Sequence, residues 1–462
     1  MTKPFIVVQG PVATRSGYGN HTRDLVTSLI QANKYDIQIV SLPWGDTPLD
    51  ALKGDNPEHV DIANCIAREN ITRQPDVFIQ VSVSNEFQRM GKYNIGVTAG
   101  IETTIVSPEF LKGANNMDLV ITTSEHSKKS YLDAMFDAID EKTKQKTGEL
   151  KLTAPIDVLF EGVDLNVYKK TKDIHQDIKT ELEGITDDFC FLFVGHWLKG
   201  ALGEDRKDIG MMIKTICEGF KRKGSKKRPG IILKTSHAGF SIMDRDNLMD
   251  KIQAIIAPYG NNAPNIYLLH GDLTDEEMNS LYNHSKVKAM ISFTKGEGYG
   301  RPLAEFARTG KPIIASGWSG QLDFLHKDYC TLLPGNLTQV HPSAADKFIL
   351  KEASWFTVNY QYASKVLQDV MQNYKKYLER SRKMPQHIKE NFSRDKMAEL
   401  FCAIVDKGLE SVPKQVGLKL PKLQKKTNTG GLKLPSLVLS ILFQIFLENQ
   451  NHHLNFHENR SL

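Results

Sequence analysis

Short apolar runs alternate with helical stretches along most of the chain, and this alternation constrains the fold more than any other feature. Runs rich in β-branched residues predict buried strands at 5–9, 37–41, 76–80, 94–98, 119–123 and 157–160. Glycines at 17 and 19 follow the first of these strands and precede a predicted helix at 20–31. The pattern is typical of parallel α/β layers, and it predicts one Rossmann-like sheet in the first half.

The same architecture is predicted again in the second half. A polar, charge-dense segment at 169–188 separates the halves, and a new apolar run opens at 189–195. Further strands are predicted at 230–235, 265–269, 288–293 and 312–316, with helices between them. Thr274 and Glu277 have the spacing of a capping box and mark the start of one helix. The remainder up to residue 411 is predicted to be helical.

Composition excludes several classes of protein. The chain has 462 residues, of which 40% are hydrophobic and 24% charged, as in a globular protein of two or three domains. No apolar stretch reaches the roughly 18 to 20 residues that a membrane-spanning helix needs. The N-terminus lacks a secretory pattern, and the five cysteines are scattered. We therefore expect a cytoplasmic protein with reduced thiols and no transmembrane span.

The segment 296–312, with the sequence GEGYGRPLAEFARTGKP, carries the most informative chemistry. Three glycines follow a predicted strand there, and a proline suits the first turn of the next helix. A glycine loop before a helix start can bind an anion, because its free N–H groups and the helix dipole favour negative charge. Glu297 and Glu305 flank this helix start, and carboxylates accept hydrogen bonds from vicinal hydroxyls. The segment therefore predicts a site for a ligand such as a nucleotide sugar.

The Glu297-x7-Glu305 spacing resembles the donor-site signature of retaining GT-B glycosyltransferases of the family 4 type, which includes glycogen synthase-like and mannosyltransferase-like enzymes. Segments that resemble the same family, in the same order, lie at 16–19, 122–130, 160–164 and 265–282. The resemblance implies an α/β GT-B fold, with two Rossmann-like domains facing across a cleft. It also implies C-terminal helices that cross back to the first domain, starting near Trp355.

The resemblance further implies roles for single residues. Glu297 would contact the donor sugar, and Lys207 and Arg206 would stabilise the departing diphosphate, so these three are the expected catalytic residues. Many family members have Gly-Arg where this chain has Gly-His at 195–196, which leaves the arginine role to Arg206. Residues expected to bind the donor are Glu305, which would hold the ribose, and Gly298, Tyr299, Gly300, Gly17 and Gly19. Glu102 and His126 are candidate contacts to the acceptor or the sugar.

No cofactor or metal is expected beyond the nucleotide-diphosphate sugar itself. The sequence Asp244-Arg245-Asp246 imitates a DxD metal motif, but it lies in a predicted helix and is interpreted as surface. The resemblance does not imply a metal.

Four segments are predicted from these patterns together. Residues 1–172 form an N-terminal acceptor-side domain, and residues 185–352 form a C-terminal domain that binds the nucleotide-sugar donor. Residues 353–411 are helices that pack back on the first domain. Residues 412–462 are a basic, partly disordered tail with a short apolar segment.

The expected reaction is transfer of a hexosyl or pentosyl group from a nucleotide-diphosphate sugar to an acceptor hydroxyl, with retention. A glycan, a lipid or a small molecule is the favoured acceptor. A rival on the same fold is an epimerase or a phosphorylase, although no pyridoxal lysine is identified for the latter. The remaining alternatives are a non-catalytic module that binds sugar nucleotides or nucleic acid, and an enzyme that glycosylates modified bases in DNA, as in bacteriophages.

The DNA alternative depends on the basic loop 221–228, which holds six Lys or Arg residues and no acid. If this loop contacts phosphates, binding to duplex DNA should weaken linearly on a log–log plot against salt concentration. Replacing the six basic residues with Ser should then reduce the slope by several units. Weak binding at about 50 mM salt, or an unchanged slope in the variant, would contradict a DNA acceptor.

Overall fold

The computed structural model describes residues 3–140, 142–221, 228–237 and 239–412. The predicted basic loop falls largely on 222–227 and the predicted tail on 413–462, so these two predictions lie outside the described residues. Of the helices in the described ranges, none combines the length and the apolar character needed to cross a membrane.

The first half of the chain forms a six-stranded parallel sheet in the order β2-β1-β3-β4-β5-β8. Its strands are β1 Phe5–Gly10, β2 Asp36–Ser41, β3 Val77–Val81, β4 Tyr93–Thr98, β5 Leu119–Thr122 and β8 Ile156–Val158. Between β5 and β8 the chain forms a separate antiparallel hairpin of β6 Met135–Ile139 and β7 Lys146–Lys151. Its helices are α1 Gly17–Ala32, α2 Pro57–Cys65, α3 Pro108–Ala114 and α4 Glu125–Asp133, with a 3-10 turn at Ser84–Glu86. The central strands are continuous apolar runs because helices cover both faces of the sheet.

The second half repeats this design in the order β11-β10-β9-β12-β13-β14, again with all strands parallel. Its strands are β9 Cys190–Val194, β10 Gly230–Lys234, β11 Ile266–Leu269, β12 Val287–Ser292, β13 Ile313–Ser316 and β14 Thr331–Leu333. Its helices are α5 Gln176–Glu181, α6 Ile209–Phe220, α7 Ile242–Ile256, α8 Asp275–Asn283 and α9 Arg301–Ala307, with 3-10 turns at Ala257–Asn262 and Gly320–Asp323. The predicted capping box at Thr274 and Glu277 is confirmed at the start of α8.

Both sheets have a switch point, at which the strand order reverses. In the first sheet β1 lies between β2 and β3, and in the second β9 lies between β10 and β12. Ligands of open α/β sheets bind outside the carboxyl ends of the strands at such points, because the loops diverge there and leave a crevice. The loop 195–208 follows β9 and the loop 293–300 follows β12, so the topology places the predicted donor residues at this crevice.

The prediction that the chain is helical up to residue 411, with a helix starting near Trp355, is wrong in part. Trp355 lies in β16 Ser354–Val358, which pairs in antiparallel register with β15 Gly335–Gln339. The run SWFTV favours a strand, since aromatic and β-branched side chains pack well on a pleated surface. The helices begin only afterwards, as α10 Tyr360–Gln372, α11 Tyr374–Ser381, α12 Met384–Asn391 and α13 Arg394–Glu410.

The last of these helices returns to the first half of the chain, as the resemblance implied. Met397, Phe401 and Val405 on α13 are fully buried in the same core cluster as Leu25 and Leu29 of α1. The segment boundaries predicted from the sequence stay a prediction, since these contacts do not define where each segment ends.

Two ion pairs of opposite polarity connect the two halves near the cleft. Arg301 at the start of α9 donates from Nη1 to Asp24 Oδ2 on α1, at 2.6 Å. In the reverse sense, Arg15 in the loop after β1 pairs with Asp272 in the loop after β11. The side chain of Asp24 is only 8% exposed, against 39% for Asp272, so the first pair is shielded from solvent and is the stronger of the two.

We expect Asp24→Asn to lower the free energy of unfolding by about 2 kcal/mol, because it removes the charge that Arg301 faces on α1. The matched control is Asp133→Asn, whose exposed pair with Lys129 should contribute less than about 0.5 kcal/mol. Urea unfolding followed by circular dichroism measures both. Equal losses in the two variants would contradict a stabilising role for the Asp24 pair.

Candidate functional site

The loop after β12 is held directly against the first half of the chain. A Cβ built on Gly296 would lie 1.9 Å from the carbonyl oxygen of Glu102, and one on Gly298 would lie 1.8 Å from that of Ala99. The hydroxyl of Thr123 also donates to the carbonyl of Gly298, at 3.3 Å. Glycine is therefore required at 296 and 298 for contact between two backbones. The sequence interpretation had assigned these glycines to the approach of a ligand.

The loop that carries Arg206 and Lys207 is attached to the same segment. The N–H of Lys295 donates to the carbonyl of Arg206 at 2.7 Å, and Arg206 Nη1 donates to the carbonyl of Gly296 at 3.0 Å. Asp208 follows in a left-handed conformation, with φ 53°, at the residue before α6, where its side chain makes no capping hydrogen bond. These contacts fix both cations beside the loop after β12.

Four predicted charged residues meet at this point. Lys207 Nζ forms a hydrogen-bonded ion pair with Glu297 Oε1, and Arg206 Nη1 lies 3.5 Å from Glu297 Oε2. The same Arg206 nitrogen lies 3.5 Å from Glu102 Oε1, which comes from the other domain. All four side chains are at most 17% exposed. The cluster thus contains two cations and two carboxylates across the cleft.

The charges in this cluster shift one another's titration. Burial acts to raise the pKa of Glu297, but Lys207 and Arg206 outweigh it, so the pKa lies below its usual value. Burial lowers the pKa of Lys207, and Glu297 only partly restores it. The pKa of Arg206 is raised because Glu102 and Glu297 outweigh the effect of burial. A carboxylate, a guanidinium and an ammonium group that are held together in this way can bind polar and anionic parts of one ligand.

Glu305 lies one turn into α9 and belongs to a second cluster. Its Oε1 accepts from Arg301 Nε at 3.1 Å, and its Oε2 accepts from the hydroxyl of Tyr282 at 3.1 Å. Glu161 Oε2 lies 3.9 Å from Arg301 Nη1. Burial raises the pKa of both Glu305 and Glu161 to about 7, although Arg301 opposes this shift. The structure therefore separates the two glutamates of the motif into different hydrogen-bond networks.

The predicted glycine loop of the first half begins α1. Gly17 faces open space, whereas a Cβ on Gly19 would lie 2.3 Å from the carbonyl oxygen of Thr14. Between them, the hydroxyl of Tyr18 accepts hydrogen bonds from the N–H groups of Ala99 and Gly100, at 3.0 and 3.2 Å. Tyr18 thus fixes the loop that carries Glu102. The roles of Gly17 and Gly19 in donor binding stay predictions.

Three other residues near the cleft, two of them predicted site residues, are largely buried. The ring of Tyr299 packs on Phe324, and its hydroxyl has no hydrogen-bond partner among the described residues. His126 contacts the ring of Trp318 edge-on, and burial lowers the pKa of His126 to about 4. Burial and the nearby Arg301 together lower the pKa of His21 on α1 to about 3. Both histidines are therefore neutral at physiological pH.

The interpretation of residues 244–246 as surface is confirmed for Arg245 and Asp246, which are exposed, but it is wrong for Asp244. Its side chain is only 10% exposed, and its two carboxylate oxygens accept hydrogen bonds from His237 and from His270 Nε2, the latter at 2.7 Å. Lys251 Nζ lies 2.8 Å from the other ring nitrogen of His237. The helical pattern did place Asp244 in α7, but it gave no sign that two histidines from neighbouring loops approach this carboxylate.

The sequence interpretation also missed the residues that support the cluster. Lys295 is 1% exposed and donates from Nζ to Thr357 Oγ1 at 2.7 Å, while lying 3.9 Å from Asp208 Oδ2. Asp208 in turn accepts from the hydroxyl of Tyr360 at 2.7 Å. The sequence did contain one signal for Lys295, since a lysine stands between a buried strand and the sequence Gly-Glu-Gly at 296–298. Its partners come from β16 and from the residue before α6, which the sequence did not connect to this loop.

We expect the free energy of unfolding to depend on pH through Glu305. Its pKa is about 7 in the folded protein against 4.5 when unperturbed, so the folded state keeps a proton that the unfolded state loses. The corresponding stabilisation is complete below about pH 4.5 and is lost as the pH rises through about 7, by about 3 kcal/mol. Glu305→Gln should lose the share of this pH dependence that Glu305 contributes, while Glu161, whose pKa is also about 7, keeps its own share. The exposed Glu379→Gln should retain the whole dependence. If the free energies of unfolding of wild type and of Glu305→Gln differ by the same amount at both ends of this pH range, the raised pKa of Glu305 is contradicted.

The comparisons with known proteins identify the fold. No family model matches this chain, and neither does the sequence of a curated protein. A glycosyltransferase from Rickettsia africae is 12% identical with a TM-score of 0.58, over 89% of this chain and 100% of its own. Sucrose-phosphate synthase from Thermosynechococcus elongatus is 13% identical with a TM-score of 0.57, over 88% and 99%. The Anabaena HepE protein in complex with UDP-glucose is 14% identical with a TM-score of 0.55, over 87% and 99%. At this identity the likeness shows the fold alone, which is the GT-B architecture of two Rossmann-like domains.

Proposed function

We propose that this protein is a glycosyltransferase that moves a sugar from a nucleoside-diphosphate sugar to an acceptor hydroxyl. The observation that carries the proposal is the meeting of Arg206, Lys207, Glu297 and Glu102 at the carboxyl edge of the second sheet. An adjacent guanidinium and ammonium group suit a diphosphate, and the carboxylate between them suits sugar hydroxyls. The solved structures of the same fold support this class of donor, since one of them contains UDP-glucose.

The chemistry that we propose begins with the departing diphosphate. Lys207 and Arg206 would stabilise the negative charge that develops on its oxygen as the bond to the sugar breaks. Glu297 would orient the sugar, and Glu305 would accept hydrogen bonds from the ribose. A site of low exposure strengthens each of these interactions, because water screens them less.

Retention of the anomeric configuration is the second part of the proposal. The resemblance to retaining enzymes supports it, and we assign no enzymic nucleophile. In the route that we propose, the acceptor oxygen attacks from the face on which the diphosphate departs. The C–O bond to the acceptor forms while the bond to the diphosphate breaks. An oxygen of the leaving diphosphate accepts the proton of the acceptor hydroxyl.

The acceptor that we propose is a hydroxyl of a glycan, a lipid or a small molecule. No feature of the described residues favours DNA over these classes. We also propose that transfer requires no divalent cation, and that chelation with EDTA leaves most of the activity. Strict dependence on a divalent cation would contradict this and would direct attention to Asp244 and Asp246.

We expect wild-type protein to release nucleoside diphosphate from at least one member of a panel of UDP-, GDP- and ADP-sugars. Lys207→Ala should lower kcat/KM by about two decades, as expected for a group that stabilises a departing anion. Lys214→Ala is the matched control, since it removes an exposed lysine from α6. Glu305→Gln should raise the donor KM about tenfold, because it removes a charge-assisted contact to the nucleotide.

Other outcomes separate the alternative functions. An isomerised sugar nucleotide would indicate an epimerase, and binding without turnover would indicate a non-catalytic module. Equal activity in Lys207→Ala and Lys214→Ala would contradict the proposed site. Product analysis by proton NMR of the new anomeric linkage distinguishes retention from inversion.

A further inference from the structure

The charges of the proposed donor site balance one another before any ligand is bound. Arg206 and Lys207 supply two positive charges, and Glu102 and Glu297 supply two negative ones. A donor diphosphate would add further negative charge to a cluster that already contains two carboxylates. Like charges at short distance in a poorly hydrated site repel strongly, so at least one carboxylate has to give way.

Glu297 is firmly fixed in this cluster. Its side chain is paired with both Lys207 and Arg206. Its N–H donates to Ser319 Oγ at 2.9 Å, and its carbonyl accepts from the N–H of Gly320 at 3.0 Å. Rotation of the Glu297 side chain out of the cluster would break both of these ion pairs at once.

Glu102 is held much more weakly. Arg206, at 3.5 Å, is the only charged partner of its side chain among the described residues, and no hydrogen bond to that carboxylate is formed within them. Glu102 also comes from the opposite domain, in the loop between β4 and α3. Rotation of its side chain away from Arg206 therefore costs one long ion pair and leaves the donor domain unchanged.

We propose that Glu102 is a positioning residue that neutralises Arg206 while the donor site is empty, and that the donor diphosphate displaces it. This inference rests on the proposed function and deepens it, because it assigns a regulatory contact to the same site. The displaced carboxylate would face the cleft only after the donor has bound. The charges on the acceptor side of the cleft thus reach their final positions only after the donor has bound. This favours an ordered reaction in which the donor binds before the acceptor.

Inorganic diphosphate is the probe that tests the exchange, because it contains neither the sugar nor the ribose that Glu297 and Glu305 would contact. Calorimetric titration of the whole chain should give a dissociation constant about fivefold lower for Glu102→Gln than for wild type, since the competing carboxylate is gone. A residue with a merely structural role would weaken binding when replaced. The matched control is Glu109→Gln, which removes one exposed carboxylate from the same segment and should leave the affinity unchanged.

Glu102→Asp keeps the charge but withdraws it by one methylene, and we expect an intermediate affinity. If Glu102→Gln has a lowered melting temperature, its affinity for diphosphate also reflects the loss of stability. Glu102→Asp is then the variant that decides the test. Unchanged or weaker binding in both variants, with wild-type affinity measurable, would overturn the displacement of Glu102 and leave the proposed function intact. No binding of diphosphate to the wild type at about 10 mM would overturn both.

Discussion

The backbone contact between the loop after β12 and the loop after β4 is the constraint on which the candidate site depends. It is possible only because residues 296 and 298 lack side chains, since a Cβ at either position would overlap a carbonyl oxygen of the other domain. This contact brings the carboxylate of Glu102 within 3.5 Å of the guanidinium of Arg206. Neither domain alone would assemble this group of charges.

Buried charge explains much of the remaining arrangement around the cleft. Ions removed from water are costly unless they are paired, and the cations of the charge cluster and Lys295 behind it each lie near at least one carboxylate. Arg206 and Lys207 face Glu297, and behind them Lys295 faces Asp208. Each half of the chain contributes both signs of charge. The relative position of the two sheets and the charge of the site are therefore set by the same contacts.

Most strands of the two sheets could be predicted from the sequence, because buried parallel strands are mostly apolar and stand out between polar helices. The short edge strand β14 Thr331–Leu333 was not predicted, because three residues are too few for a recognisable pattern. The hairpin of β6 and β7 could not be predicted, since the run KTGELK is exposed and polar and gains its form from pairing alone. The Glu297-x7-Glu305 spacing indicated a site, but not that Glu305 is paired with Arg301. Asp24 and Arg301 are 277 residues apart, and a single sequence does not show which helix face meets which loop.

The two glycines of the motif also restrict the space between the two sheets at this point. The sequence predicts that these glycines let the backbone approach a ligand, which stays a prediction, and the structure shows that they also allow contact between the domains. Because the two backbones touch, no ligand can pass between them at this point. The charged groups of the candidate site, Arg206 and Lys207, lie beside this contact and are held there by their pairs with Glu297.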